Sequence, residues 1–539
     1  MYQCPNCGAA LRFDIPSQQM KCDNCGGMQD PYEIEKASDA EERQEYDVTV
    51  FTCPQCGGEV MSTDNAAASF CSYCGASTIL NSRIEGEKKP SFIIPFQKTK
   101  DDCKAAYKKM VARTLFAPRE LTDPQYLDKF RGFYMPYWVY VADHKGPVLT
   151  KGERSYRRGN YIYTDHYNLS CDVDATYRGM SYDASSSFDD AVSETIAPYD
   201  SHGIQKFSTA YLSGFFADTA DVPASVYVND AKAVAEDDVK EKVRNNPDFH
   251  QYGPKTPSGE GMVARLSRTD SAMFPVWFLT YRKKDRVAYA FVNGQTGKIS
   301  CDMPVDLTRF LIGSLILSMP IFLLLNAFLF LTATGLLSVA SVLSVFAAGV
   351  YLVNMRAIRK KETHAEDKGK NAVESASASG GETRHIKDTS LKNRGKKAGQ
   401  TVKQNVGLVV FVVIALFQIG FFSIIPKIIE VTDSALNSSP LMGLLCMAVS
   451  GILMVVSVME DKKIPCSSRP VGAIVAFIGT LAGFLTAVVN PVEDIYYYAC
   501  VIFMFICMLI TLLDLTEKAN TLATRPLPAF ERKGGDQRG

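Results

Sequence analysis

Eight of the fifteen cysteines form two identical brackets, and this pattern constrains the fold more than any other feature of the chain. The first bracket contains Cys4, Cys7, Cys22 and Cys25, and the second contains Cys53, Cys56, Cys71 and Cys74. In both brackets two CxxC pairs are separated by 14 residues, and the second bracket follows the first by 49 positions at every cysteine. The repetition predicts two copies of one small metal-binding module.

The spacing is typical of a structural zinc ribbon. Four thiolates can close a tetrahedron around Zn²⁺ and leave no coordination position for water or substrate. The second cysteine of every pair is followed by glycine, which permits the sharp turn of a zinc knuckle. These four glycines are Gly8, Gly26, Gly57 and Gly75. Because each ribbon is too short to bury a core, we expect metal binding to drive its folding.

Three other uses of the cysteines are less favoured. A thioredoxin-like redox site needs one CxxC on a βαβ unit, and no such unit surrounds these pairs. Disulfides require an oxidising compartment, and no secretory signal precedes the first bracket. An iron–sulfur cluster uses the same four thiolates and stays open as an alternative to zinc.

The hydropathy of the chain changes near Leu307. Before this residue the sequence is polar and mixed, and after it come apolar runs long enough to cross a bilayer. Six transmembrane spans are predicted, at residues 310–331, 336–353, 406–425, 441–459, 471–489 and 496–513. Gly479 and Gly483 form a small-residue face that suits close helix packing or self-association.

The distribution of basic residues predicts that both termini are cytoplasmic. The loop at residues 356–405 carries 13 Lys and Arg against 6 acidic residues. Basic residues also follow the fourth and sixth predicted spans, whereas the opposite connections contain one lysine, Lys427. A cytoplasmic location also suits eight reduced thiolates.

Residues 91–306 are predicted to form an α+β cytoplasmic domain. The expected helices lie at 101–116, after the N-cap Asp123, and at 230–245, and the expected strands lie at 133–141, 156–177, 274–281 and 287–292. Both tryptophans of the chain occur in similar motifs, around Trp138 and Trp277, and we expect each to anchor a strand in the core.

The predicted fold class is a multi-domain chain with two N-terminal Cys4 ribbons, an α+β domain and an all-α six-helix transmembrane region. The predicted segments are ribbon 1 at 1–30, ribbon 2 at 50–80, a linker at 81–90, the α+β domain at 91–306, a transmembrane hairpin at 308–354, a disordered basic loop at 355–405, four further spans within 406–515 and a cytoplasmic tail at 516–539.

The sequence offers no recognisable catalytic motif, and we predict that the protein is not an enzyme. Phosphate-binding loops, a nucleophile elbow and the HExxH zinc motif are absent from the sequence. The acidic residues Asp183, Asp189, Asp190 and Glu194 can form a paired-carboxylate site, but they more readily begin a helix. The single thiols Cys103, Cys171 and Cys301 have no neighbouring base in the sequence.

Several motifs together resemble the bacterial TFIIB-type zinc-ribbon-containing membrane proteins. They are the knuckles CPNCG, CDNCG, CPQCGG and CSYCGAS, followed by FIIPF, GFYMPYWVY, YLSGFFAD and FPVWFLTYR. The resemblance covers about residues 1–306 and the first membrane hairpin. It implies a membrane-anchored adaptor that gathers SPFH (flotillin-like) and phage-shock-protein-A-like proteins during envelope stress.

The sequence is also compatible with two functions other than that of an adaptor. The first is a membrane-tethered protein that binds nucleic acid through its ribbons, although the ribbons carry few basic residues to neutralise phosphates. The second is a transporter-like protein with a zinc-stabilised regulatory domain, although the predicted spans have no ionisable group near mid-bilayer.

Overall fold

The computed structural model describes residues 2–37, 45–62, 71–76, 81–114, 116–283, 285–328, 332–364, 367–378, 439–464 and 470–528. They form two cysteine-bearing ribbons, an α+β domain and a C-terminal region of apolar helices. The predicted fold class is confirmed at this level, whereas the number of apolar helices differs from the prediction.

The first ribbon is a small antiparallel sheet attached to the α+β domain. Its elements are β1 (Leu11–Asp14), β2 (Gln19–Cys22) and β3 (Met28–Gln29), followed by helix α1 (Pro31–Ala37). Leu11 and Phe13 alternate along β1 and are buried on the same face. The N–H of Phe13 donates to the carbonyl of Ser213 at 3.2 Å, and the Ser213 hydroxyl donates to the carbonyl of Leu11 at 2.7 Å. The YLSGFFAD motif therefore provides the docking surface for this ribbon.

The α+β domain is built around one large, mostly antiparallel sheet. Its strands are β4 (Glu45–Thr52), β5 (Glu59–Ser62), β6 (Asn81–Lys88), β7 (Phe92–Ile93), β8 (Arg131–Arg158), β9 (Tyr161–Asp183), β10 (Gln205–Lys206), β11 (Phe216–Ala217), β12 (Arg265–Lys283), β13 (Arg286–Asn293) and β14 (Ile299–Cys301). The sheet order is β10-β7-β12-β8-β11-β5-β4-β6, with β9 paired to β8 and β13 paired to β12. The helices are α2 (Lys100–Ala112), α3 (Pro124–Leu127), α4 (Asp190–Ile196), α5 (Val228–Arg244) and α6 (Pro247–His250).

The second ribbon belongs to this sheet. Strand β5 pairs antiparallel with β11, and β11 pairs in parallel with β8, so ladder hydrogen bonds join the ribbon to the domain. Strand β4 lies between β5 and β6. Residues 81–88, which were predicted as part of a linker, form β6, because β4 supplies a partner edge that a local sequence pattern does not reveal.

Local sequence signals predicted most elements of the domain. Asp123 caps α3 by accepting the N–H of Gln125, with Pro124 in the first turn. Helix α2 begins with a capping box between Thr99 and Asp102. The strands predicted at 133–141 and 156–177 are replaced by one long hairpin of β8 and β9, whose turn follows Arg158 and therefore falls inside the second predicted strand. The α+β interpretation is confirmed.

The two tryptophan motifs lie on adjacent strands and meet at their first residues. Met135 of β8 is opposite Phe274 of β12, so the two motifs run antiparallel about this pair. The indole N–H of Trp138 donates to the carbonyl of Val222 at 2.8 Å, and that of Trp277 donates to the carbonyl of Lys98 at 2.8 Å. Each ring therefore anchors its strand to a neighbouring loop, as expected for a structural residue.

Four helices in the described residues are long and apolar enough to cross a membrane. They occupy Ala333–Glu362, Pro440–Asp461, Val471–Val489 and Asp494–Leu522, and the corresponding elements are α8 (Ala333–Glu362), α10 (Ser439–Asp461), α11 (Val471–Val489) and α12 (Asp494–Leu522). A Cβ at Gly479 would lie 3.2 Å from Cys507 of α12, and a Cβ at Gly483 would lie 2.9 Å from Ser341 of α8. The small-residue face is therefore used for packing within the bundle.

The prediction of six spans is corrected to four for the part of the chain that the structure describes. The first predicted span overlaps helix α7 (Leu307–Phe328), which contains Pro320, and its apolar stretch in the described residues, Leu307–Pro320, is shorter than the four helices above. Proline removes one backbone hydrogen bond from the helix interior. The predicted span at 406–425 lies outside the described residues.

The segments after α8 and α12 return to the α+β domain. Residues 368–378 were predicted to belong to a disordered loop, but they form helix α9 (Lys368–Ala378). Lys368 explains this order, because its ammonium group binds both carboxylate oxygens of Asp230 on α5, at 2.8 and 2.9 Å. After α12, strand β15 (Arg525–Pro526) pairs with the start of β13. Part of the predicted tail is therefore a sheet strand.

Candidate metal centres

Four short turns carry the eight cysteines, and all four have the same backbone geometry. In each turn the glycine after the second cysteine donates its N–H to the carbonyl of the first cysteine, at 2.8 to 2.9 Å. These glycines, Gly8, Gly26, Gly57 and Gly75, have φ between 70° and 74°. This left-handed conformation favours glycine because a Cβ would be strained. The CxxCG sequence thus folds each turn locally.

The first tetrad brings together the thiols of Cys4, Cys7, Cys22 and Cys25. The Sγ atoms of Cys4 and Cys25 are 3.6 Å apart, and those of Cys7 and Cys22 are 3.4 Å apart. All four sulfurs lie within 4.8 Å of one another. A zinc–sulfur bond of about 2.3 Å gives a tetrahedron with S···S edges of about 3.8 Å. The arrangement can therefore hold one metal ion of this size.

The second tetrad has the same geometry. The Sγ atoms of Cys53 and Cys74 are 3.8 Å apart, and those of Cys56 and Cys71 are 3.7 Å apart. All four cysteines are buried, whereas Cys7 and Cys25 of the first tetrad are exposed. The eight predicted ligands are therefore assembled into two groups, each of which can hold a metal ion.

Strands β12 and β13 hold the second tetrad in place. The Thr280 hydroxyl donates to the carbonyl of Ser72, and the Tyr289 hydroxyl donates to the carbonyl of Tyr73 at 2.6 Å. Both acceptors lie between Cys71 and Cys74. The knuckle between Cys71 and Cys74 is consequently part of the domain core. The spacing of the cysteines in the sequence did not indicate these contacts.

The electrostatics of the tetrads favour a bound cation. Hydrogen bonding from the Ala9 backbone lowers the pKa of Cys7 to about 6. In the second tetrad the neighbouring thiols Cys56 and Cys74, together with burial, raise the pKa of Cys71. Four thiolates at these distances repel one another unless a metal ion lies between them. With four sulfurs bound, a tetrahedral ion has no open position, so the arrangement is structural and not catalytic.

The four acidic residues between positions 183 and 194 have different roles in the structure. Asp189 is the N-cap of α4 and accepts the N–H of Ala191 at 2.9 Å, as the helix interpretation predicted. Its other oxygen binds Arg525 at 2.7 Å. Asp183 and Asp190 are buried and line a small cavity, together with the exposed Glu194.

A third group of potential ligands was not predicted. One ligand atom each of Asp189, His364 and Asp367 lies within 4.8 Å of the others. Burial lowers the pKa of His364 to about 4, so this imidazole is neutral at pH 7. The guanidinium of Arg525 already compensates Asp189, and a cation at this position would be repelled by it. Asp189 lies 175 positions before His364, so no local sequence pattern could have indicated the whole group.

Of the remaining reactive side chains, Cys103 and His144 are buried in the domain, and Cys171 and Cys301 are half-buried. Burial raises the pKa of Cys103 and of Cys301, so both thiols stay protonated at neutral pH. His144 is fully buried, and its Nδ1 lies 3.2 Å from the carbonyl of Gly261. These environments are those of core residues.

Comparison with known proteins finds one similarity over a large part of the chain. The chain is 26% identical over 310 residues to a protein of Bacillus subtilis (strain 168) named "Uncharacterized protein YdjG". This similarity covers 57% of the present chain and 90% of the relative. No family model and no solved structure matches the chain.

Proposed function

We propose that the protein is a membrane-anchored adaptor whose two cysteine tetrads each hold a structural zinc ion. The single observation that carries this proposal is the geometry of the tetrads, in which two S···S edges of each tetrad, at 3.4 to 3.8 Å, are close to the edges of about 3.8 Å expected around Zn²⁺. A closed tetrahedral ion stiffens the turns that surround it. Stiff turns lose little conformational entropy when a partner binds.

Contacts between the ends of the apolar helices and the α+β domain support a topology in which these ends and the domain lie on the same side of the membrane. Arg286 of β13 binds Glu362 at the end of α8 at 2.6 Å and also donates to the carbonyl of Thr521 in the last turn of α12, at 2.9 Å. Arg359 of α8 binds Glu460 at the end of α10, also at 2.6 Å. Helices α8, α10 and α12 therefore end on the side where the α+β domain lies.

This arrangement agrees with the positive-inside prediction. Because α8, α10 and α12 all end on this side, the chain must cross the membrane in the opposite direction between α8 and α10 and again between α10 and α12. Helix α11 provides the second of these crossings. The predicted span at 406–425 would provide the crossing between α8 and α10 and stays a prediction, since it lies outside the described residues. If the loops rich in Lys and Arg are cytoplasmic, as the positive-inside rule predicts, then the domain, both ribbons and both termini are cytoplasmic in this proposal.

The partners that we propose are other proteins at the membrane, of the SPFH and phage-shock-A-like classes suggested by the motif resemblance. The first ribbon is the candidate docking surface because its outer knuckles are exposed. Met28 lies beside these knuckles with 46% of its surface exposed. The second tetrad is buried and serves the stability of the domain.

Crosslinking in native membranes, followed by mass spectrometry, tests the adaptor proposal. We expect an SPFH or phage-shock-A-like protein to be crosslinked to the wild type and to be lost from Met28→Asp. The matched control is Val263→Asp, which changes a 53% exposed apolar residue far from the ribbons. Equal recovery of such partners from both variants would show that the docking surface does not include Met28. Absence of any crosslinked protein partner from the wild type would reject the adaptor proposal.

One observation favours a second candidate, a membrane-tethered protein that binds nucleic acid. The end of the β8–β9 hairpin is exposed on both faces and carries aromatic and basic side chains. These are Arg154, Tyr156, Arg157, Arg158, Tyr161 and Tyr163. Aromatic rings among arginines can stack bases and neutralise phosphates. An isolated two-stranded ribbon has marginal stability in water, so a ligand at this end would stabilise it.

Retention on immobilised single-stranded DNA and RNA tests this second candidate with the full-length protein in detergent. We expect retention that weakens as salt rises and is lost in an Arg157→Glu, Arg158→Glu double variant. A control with Lys240→Glu, which changes a lysine on α5, should retain binding. Retention that is independent of both salt and the arginines would reject nucleic-acid recognition by the hairpin.

A further inference from the structure

A small cavity lies between the end of β9 and helix α4. Its volume is about 60 Å³, and its lining includes Tyr137, Ser181, Asp183, Asp190, Ser193 and Tyr227. The exposed Glu194 also lines it, so an ion can reach the cavity from solvent. One water molecule needs about 10 to 15 Å³ of such volume, so the cavity has room for a small ion with a few waters.

Two buried carboxylates line this cavity, and one of them is incompletely bound. Asp183 has 3% of its surface exposed, and its Oδ2 has no hydrogen-bond partner among the described residues. Asp190 is 7% exposed. Its Oδ1 accepts the Tyr227 hydroxyl at 2.6 Å, and its Oδ2 accepts the N–H of Lys368 at 2.8 Å. Both donors to Asp190 are neutral groups, so they leave its negative charge uncompensated.

Two basic side chains close to helix α4 are bound to other acids. The ammonium group of Lys368 binds Asp230 at 2.8 Å, and the guanidinium of Arg525 binds Asp189 at 2.7 Å. No described residue that lines the cavity is a lysine, arginine or histidine. The protein therefore presents two buried acids to one cavity without a cationic side chain between them.

We propose that Asp183 and Asp190 bind a divalent cation of the Mg²⁺ class in this cavity. The lining supplies only oxygen donors, from carboxylates and from serine and tyrosine hydroxyls, and hard cations prefer such ligands. Mg²⁺ typically uses one or two carboxylates and keeps several waters, which suits the size of the cavity. The unpartnered Oδ2 of Asp183 is the free ligand that this assignment requires.

The site differs in chemistry and position from the two thiolate tetrads. It contains no sulfur, so zinc in the tetrads and Mg²⁺ in the cavity do not compete for ligands. Because Asp190 also accepts the N–H of Lys368, an ion bound to Asp190 would strengthen the attachment of α9 to the domain. The site therefore connects the segment after α8 to the core of the domain.

Binding of Mn²⁺, a paramagnetic substitute for Mg²⁺, tests the proposal on full-length, zinc-loaded protein in detergent. We expect the free Mn²⁺ signal in electron paramagnetic resonance to fall by one equivalent per protein and to return when Mg²⁺ is added. Asp183→Asn removes the charge and keeps the volume, and we expect it to weaken Mn²⁺ binding by at least about tenfold, the loss of about 1.4 kcal/mol. The matched control, Asp174→Asn, changes an exposed acid on β9 and should bind as the wild type does.

Other results would overturn the assignment. Absence of Mn²⁺ binding in the wild type would show that Asp183 is neutralised by a proton. Equal binding by Asp183→Asn and Asp174→Asn would place the ion elsewhere. If Asp183→Asn does not fold, Glu194→Gln at the exposed edge should weaken binding, and Mg²⁺ should raise the unfolding temperature of the wild type but leave that of a zinc-loaded Asp190→Asn variant unchanged.

Discussion

Arg525 and Asp189 are 336 positions apart in the chain and form an ion pair, with 2.7 Å between Nη1 and Oδ2. The Nε of the same guanidinium lies 3.2 Å from Asp302 of the segment that leads into α7. Arg525 follows the last apolar helix, and Asp189 caps a helix of the α+β domain. This cluster therefore fastens the apolar bundle to the domain.

Replacement of Arg525 by alanine should loosen this attachment. Asp189 would lose its counter-ion and Asp302 would keep only Lys361, and removal of one partner from a buried pair costs about 3 to 5 kcal/mol. We expect faster hydrogen exchange of β15 and β13 and earlier proteolysis after residue 522. Lys240→Ala is the control, since its exposed pair with Asp237 contributes less than about 1 kcal/mol. Unchanged exchange in β15 would contradict the role given to Arg525.

The same cluster should make the attachment sensitive to acid. Burial opposes ionisation of Asp302, but the charges of Lys361 and Arg525 lower its pKa below the usual value. Burial is likewise overcome at Asp189, whose pKa is lowered by Arg525. A lowered pKa in the folded state means that the unfolded state binds protons first as pH falls. The attachment should therefore be fully stable above about pH 4 and weaken below it. Hydrogen exchange of β15, measured at several pH values and corrected for the intrinsic exchange rate, tests this expectation.

Loss of one ligand in the second tetrad should remove one metal ion and destabilise the domain. Cys56→Ser is expected to reduce the zinc content from two ions to about one, because three thiolates and a hydroxyl bind zinc poorly. Elemental analysis gives the zinc content, and thermal unfolding gives the stability. Cys171→Ser changes a half-buried thiol outside the tetrads and should retain both ions. Two ions in the Cys56→Ser protein would contradict the ligand assignment.

Alanine at the knuckle glycines should have graded effects. Gly26→Ala meets no atom within 4 Å, so only its φ of 71° is unfavourable, at about 1 to 2 kcal/mol. Gly75→Ala has a similar φ, and its Cβ would also lie 3.2 Å from the Cβ of Arg282. We expect zinc to dissociate faster from the Gly75→Ala protein than from the Gly26→Ala protein, as followed with a chromogenic chelator. The reverse order would show that the domain does not press on the second knuckle.

Asp514 should be important for packing among the apolar helices. Its Oδ2 accepts the N–H of Gly472 at the start of α11, at 2.7 Å, and the hydroxyl of Tyr351 on α8, at 2.8 Å. Asp514→Ala leaves both donors unpaired, at a cost of about 1 to 3 kcal/mol each. We expect a lower unfolding temperature in detergent, whereas Glu517→Ala, at an exposed position of the same helix, should change it little.

The prediction of the cysteine tetrads and of several elements relied on interactions within short stretches of chain. A CxxCG turn is closed by hydrogen bonds within six residues, and the N-cap of α3 involves neighbours in the sequence. The four apolar helices also follow from local patterns of apolar residues. The sequence by itself thus determined which cysteines can bind metal and where many of the helices and strands lie, but not β6, α9 or β15, nor the turn between β8 and β9.

The tertiary structure alone decided how these parts are joined. The second ribbon enters the main sheet through β11, more than 140 residues away, and the tail after α12 adds a strand to β13. The ion pair of Arg525 with Asp189 likewise joins groups that have no local partner in the sequence. Such contacts arise from packing and charge compensation between distant segments, and a pattern read along the chain does not contain this information.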